Sequence, residues 1–151
     1  MLVPYKVQPD QYGSFICTVT LGVNLALPKP NAPRTKRFEA IIDSGASRCL
    51  FHTSIATYLG LDLKSGVMEN CNGIGGQQET WVHDVTLYIP GGTVVIKAGF
   101  TETLPVAGLL GMNGFFEHFS ITFDPAKLEC ELKRGISQLG SRIEALLVYG
   151  S

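Results

Sequence analysis

Phe38-Glu39-Ala40-Ile41-Ile42-Asp43-Ser44-Gly45-Ala46 is the stretch on which the reading of this chain turns. An apolar run of strand character delivers one carboxylate directly into a tight Ser-Gly turn. Taken alone, Asp-Ser-Gly is an ordinary turn tripeptide, because Asp and Gly favour turns wherever they occur. Its setting behind a fully apolar strand end gives it weight, as do two elements further along the chain.

Working outward, Gly13 to Val23 alternates Phe15, Cys17, Val19 and Leu21 against Ile16, Thr18 and Thr20, which predicts a strand buried mainly on one face. Leu27 to Arg37 carries three prolines and four basic residues with no acid, and reads as an exposed, mobile loop into the Asp43 strand. Downstream, Thr53 or Ser54 is expected to cap a short helix that Gly60 stops, and a turn-rich stretch runs on to Gly76. Trp81 to Ile89 alternates as a strand and folds back through Pro90-Gly91-Gly92 into Thr93 to Phe100. Leu104 to Leu110 reads as a further strand, and the spacing of Phe115, Phe116 and Phe119 predicts a short packed helix. Ile121 to Leu132 reads as a hairpin turning at Asp124-Pro125-Ala126-Lys127, and Ser141 opens a capping box for a C-terminal helix.

With 151 residues the chain is expected to form a single domain, its core at 13–133 and a tail at 134–151. Twelve Lys+Arg against 13 Asp+Glu leave a net charge of −1, which gives no global attraction for nucleic acid or an anionic membrane. No stretch approaches the roughly 18 unbroken apolar residues of a membrane span, so a soluble, cytoplasmic protein is expected. Cys17, Cys49, Cys71 and Cys130 are widely and irregularly spaced and are expected as free thiols.

Two elements downstream of Asp43, Asn72-Gly73-Ile74-Gly75-Gly76 and the apolar-apolar-Gly run Val106 to Asn113, follow it in an order that resembles that of the retroviral-type aspartic proteases, the retropepsins. Asn72-Gly73-Ile74-Gly75-Gly76 resembles the glycine-rich tip of their flap, a hairpin that must open and close over a peptide. Val106-Ala107-Gly108-Leu109-Leu110-Gly111-Met112-Asn113 resembles their hydrophobic-hydrophobic-Gly element beside the catalytic turn. The resemblance covers Phe15 to about Leu132, and it implies a mostly β, barrel-like acid-protease fold with two short helices.

It also implies chemistry. Aspartic peptidases use two carboxylates sharing a proton, yet the chain has no second Asp-Ser/Thr-Gly, so the resemblance implies a homodimer with an Asp43 from each copy. A water between them would be activated by one carboxylate while the other polarises the scissile carbonyl, with no cofactor or metal. Ser44, Gly45 and Ala46 would support the turn; Ser47 and the flap residues would hold an extended peptide or protein substrate; Leu109, Leu110 and Gly111 would floor the site. Three departures mark the chain off from the viral enzymes. Met112 stands where they commonly have Arg, the loop Leu27 to Arg37 is long, and about nineteen residues follow Leu132. The longer form looks more like the bacterial and cellular branch.

Other chemistries fare worse. Gly73 to Gln78 lacks the third glycine of a dinucleotide fingerprint, and His52, His83 and His118 lack zinc-site spacings. Cys49 near His52 carries no thiol-protease signature. The competing reading is a catalytically silent dimerisation or peptide-binding module on the same fold.

Overall fold

The computed structural model describes residues 1–73 and 76–135. Its strands are β1 (Leu2–Pro4), β2 (Lys6–Pro9), β3 (Phe15–Thr18), β4 (Thr20–Ala26), β5 (Phe38–Ile42), β6 (Leu50–His52), β7 (Val67–Gly73), β8 (Gly76–Ile89), β9 (Gly92–Thr101), β10 (Gly108–Leu110), β11 (Phe119–Asp124) and β12 (Glu129–Arg134). Among the described residues one helix, α1 (Thr53–Tyr58), and a 3-10 turn at Leu63–Ser65 interrupt them. The sheet order β4-β5-β10-β6-β9-β8 closes on itself, because β8 also pairs with β4. Six strands thus make a closed barrel, and β7 hangs on the outside of β8.

Two-residue periodicity explains the barrel wall. On β8 Val85, Leu87 and Ile89 point inward, and on β9 Val94, Ile96, Ala98 and Phe100 do the same, while Asp84, Val95 and Lys97 face solvent. The two strands turn through Pro90-Gly91, with Gly91 at φ +85°. Phe51 and Phe100 are fully buried with ring centroids 6.1 Å apart, and Phe38 meets Phe51 edge-on at 5.9 Å. A second sheet, β1-β12-β11, is antiparallel throughout and buries Val3, Cys130 and Leu132.

Several local expectations are corrected. The pattern from Gly13 to Val23 is not one strand: at Val19 the chain passes from the β2–β3 hairpin into the barrel. Upstream of that point Phe15, Ile16 and Cys17 are exposed, because the hairpin has no third strand to lie on. Leu104 to Leu110 yields only the three-residue β10, since Pro105 cannot donate to a ladder and the chain bends until Gly108. The packed helix at Phe115 is a run of turns. Gly114 at φ +103° breaks any helical entry, although the aromatic spacing is used, with Phe115 stacked on Phe119 at 4.9 Å.

The α1 cap is His52 and neither Thr53 nor Ser54: its Nδ1 accepts from the Ser54 N–H at 3.1 Å, and Gly60 at φ +70° follows the helix as expected. The turn-rich stretch before Gly76 contains β7. The loop after β4 is exposed but anchored, for the Thr35 N–H donates to the Leu25 carbonyl at 2.8 Å and the Thr35 hydroxyl accepts from the Leu25 N–H at 3.0 Å. The capping box at Ser141 lies outside the described residues. Cys17, Cys49 and Cys130 are free. Among the described residues no helix is long and apolar enough to cross a membrane.

Candidate active site

Asp43 stands at the carboxyl end of β5, half-buried, where the barrel wall opens into a loop. The local fold follows from three hydrogen bonds. The Asp43 Oδ1 accepts from the Gly45 N–H at 2.9 Å, the Ala46 N–H donates to the Asp43 carbonyl at 3.2 Å, and the Asp43 N–H donates to the Leu110 carbonyl at 3.0 Å. An Asx turn closes inside a β-turn, and both are fastened to β10.

β10 explains why a motif more than sixty residues downstream belongs to this turn. It runs parallel to β5, with Leu109 opposite Ile41 and Leu110 opposite Ile42, and antiparallel to β6, with Gly108 opposite Phe51. β5 and β6 are consecutive in sequence, so the loop 43–49 must arch over the end of the strand inserted between them. The arch is stitched on its far side by Met112 N–H to the Ala46 carbonyl at 2.8 Å, Asn113 N–H to the Ser47 carbonyl at 3.0 Å, and Cys49 N–H to the Asn113 carbonyl at 3.2 Å. Gly111 lies beneath it. A Cβ there would stand 2.6 Å from the Ala46 carbonyl oxygen and would also meet that of Arg48. The glycine is required by this close approach of two backbones.

The remaining residues singled out in the sequence divide cleanly. Ser44, Gly45 and Ser47 are exposed along the arch and Ala46 is half-buried. Ser47 contributes its backbone carbonyl to the stitching. Leu110 is fully buried in the barrel core, so of Leu109, Leu110 and Gly111 only Leu109 keeps partial exposure. Asn72 and Gly73 end β7 and Gly76 begins β8, with Gly73 opposite Gly76, the last described pair of this antiparallel hairpin. Residues Gly76 to Thr80 pair with β7 and not with β9, which carries this hairpin beyond the barrel. Ile74 and Gly75 lie outside the described residues.

One pair was not read from the sequence. Arg48, on the arch, donates through Nη2 to Glu69 Oε1 at 3.1 Å and through Nη1 to the Lys97 carbonyl at 3.4 Å. Glu69 lies on β7, so an ion pair ties the Asp43 loop to the base of the hairpin. Cys49 is structural: its Sγ accepts from the Gly111 N–H at 3.4 Å, and burial pushes its thiol up to about 11. That disposes of it as a nucleophile at neutral pH.

A half-buried carboxylate on a Ser-Gly turn, arched over an inserted apolar-apolar-Gly strand, is matched by sequence as well as by shape. Residues 34–113, more than half of the chain, match the sequence pattern of a family described as aspartyl protease. The chain belongs to the aspartyl protease family. Its fold is that of the retropepsin-like aspartic proteases. Over 86% of this chain and 95% of the other, it superposes on a retropepsin-like aspartic protease from Rickettsia conorii with a TM-score of 0.57 at 16% identity. The retroviral protease-like domain of Ddi1 from Leishmania major gives a TM-score of 0.50 at 17% identity, over 76% of this chain and 88% of that one. At such identities the likeness is one of fold. No curated protein matches the chain in sequence.

Proposed function

We propose that this aspartyl protease family member is a homodimeric endopeptidase in which Asp43 of each copy forms the catalytic dyad. The observation that carries the reading is the rigidly stitched Asp-Ser-Gly arch, present once per chain, with its carboxylate at the open end of β5. Two such carboxylates facing each other cannot both ionise freely, so they share a proton. The ionised one takes a proton from water while the protonated one donates to the scissile carbonyl; on collapse the first passes its new proton to the leaving amine, and the second takes back the proton of the diol hydroxyl as the carbonyl reforms.

The β7–β8 hairpin serves as the flap. Its extension beyond the barrel and its glycine tip suit a cover that closes over an extended peptide, held by main-chain hydrogen bonds with alternate side chains in pockets. Ser44 fixes the facing turn across the two-fold axis, and the free thiols accord with a cytoplasmic setting.

Purified protein incubated with a diverse peptide pool from acidic to neutral pH, with mass-spectrometric readout, tests this. Cuts are expected for the native chain and none for Asp43→Asn, whose near-isosteric amide leaves circular dichroism unchanged. A native chain that cuts nothing across that range is the silent module instead.

A further inference from the structure

A charged cleft lies on the barrel wall at the opposite end of β5 from Asp43. Arg37 immediately precedes β5 and Asp43 immediately follows it, which separates the two by roughly 20 Å at strand rise. The cleft encloses about 440 Å³, and its lining includes Gly22, Asn24, Arg34, Arg37, Tyr88 and Gly92.

Two guanidinium groups line it, and a third lies beside it at Gly92. Arg34 lies over the Tyr88 ring, 3.7 Å from the centroid. Arg37 rests on the bare Cα of Gly22, in the space a Cβ would take, and Arg134 reaches from β12 to Gly92, its Nη1 2.7 Å from where a Cβ would stand. Ion pairs among the described residues engage Lys6, Arg48, Lys97, His118 and Lys133, and none of these three arginines. Glu39, the cross-strand neighbour of Gly22, is already engaged by Lys6 at 3.7 Å and by the Thr20 hydroxyl at 2.7 Å. The cationic charge is therefore uncompensated within the described chain.

The charge is also held in place. Thr35 is tied to Leu25 in both directions, and the Asn24 side-chain amide donates to the Thr35 carbonyl at 2.9 Å, so the segment bearing Arg34 and Arg37 is pinned on the barrel between them. Pinned guanidinium groups lose little freedom on binding, and their planar forks match carboxylates two hydrogen bonds at a time. A nucleic acid suits the cleft less well. Arg34 already covers the Tyr88 face on which a base would stack, and the net charge of −1 gives no supporting field.

We propose that this cleft is an exosite that docks an acidic segment of a partner protein through its carboxylates, at a distance from the catalytic centre. It does not depend on the peptidase reading, and the Asp43→Asn chain retains it.

Fluorescence anisotropy with the full chain is the test, using a labelled peptide of alternating Glu and Gly, its Gln-Gly counterpart and an oligouridylate of the same length. The Glu peptide is expected to bind and to weaken with added salt, with the other two probes at least about tenfold weaker. Arg34→Gln and Arg37→Gln should each weaken the Glu peptide about fivefold or more, whereas Lys29→Gln, on the same loop but outside the cleft, should change it less than about twofold. Both arginines are exposed, so these variants keep the fold, as circular dichroism will register. Absence of Glu-peptide binding at millimolar protein overturns the proposal. So does oligouridylate binding as tight as the Glu peptide's, or a loss at Lys29 equal to that at Arg37.

Discussion

Replacing Gly111 by Ala puts one methyl group beneath the Asp43 arch and leaves every side chain of the site unchanged. Its Cβ would stand 2.6 Å from the Ala46 carbonyl oxygen and nearer still to that of Arg48, where ordinary contact begins at 3.4 Å, so the arch must rise by at least about 0.8 Å. The atoms in the way are backbone and cannot rotate aside. Overpacking of this kind costs about 1–3 kcal/mol, and loss of the Met112 N–H to Ala46 carbonyl bond adds about 1 kcal/mol. Gly111→Ala should therefore lower the unfolding free energy by roughly 3 kcal/mol in urea titration followed by circular dichroism. Because the displaced segment carries Asp43, kcat/KM on a cleavable peptide should fall about a hundredfold at concentrations where the protein is still folded. An unchanged urea midpoint with native activity would refute the claim that the arch rests on a bare glycine.

The Arg48–Glu69 pair is partly exposed, 20% and 40% at the two side chains, so a double-mutant cycle with Arg48→Met and Glu69→Gln should give a coupling of about 0.2–1 kcal/mol; a larger share of the effect should fall on KM than on kcat, since the pair ties the arch to the hairpin. Cys17 should react with iodoacetamide in the native state at pH 8 while Cys49 does not, read by mass spectrometry of the intact and digested chain. Burial raises the Cys49 thiol from 9.0 to about 11, so its contribution is complete below pH 9 and is lost as pH rises toward 11, on the order of 3 kcal/mol in chemical denaturation. Specific activity should decline on dilution through a dimer-to-monomer transition measured by light scattering, and activity that stays constant through it would contradict a dyad shared between copies.

The barrel was legible where a strand has one wet and one dry face. Val85, Leu87 and Ile89 against Asp84 and Thr86 fix both the period and the direction of the core. The same rule misled at Phe15 and Cys17, whose alternation is real but whose apolar face lies on a two-stranded hairpin and is exposed. β7 left no periodic signal, because Val67 to Asn70 mixes Met, Glu and Asn on a strand outside the closed barrel, where none of the four is buried. At the site, Asp43 and Gly111 were readable as motifs. Arg48 and Glu69 were not, since their meeting depends on how far β7 extends along β8, which no local signal encodes. His52 as a cap was masked by the more usual Thr53 and Ser54 beside it.

The insertion of β10 between β5 and β6 also sets a timetable for synthesis. A ribosome delivers Asp43 and its turn long before it delivers Leu110 to Asn113, and without those residues the arch lacks the partners of Asp43, Ala46, Ser47 and Cys49. β12, the partner of β1, emerges later still, so both the barrel and the second sheet wait on contacts of long sequence separation. A nascent chain stalled before β10 thus displays the Asp-Ser-Gly tripeptide without the scaffold that shapes it.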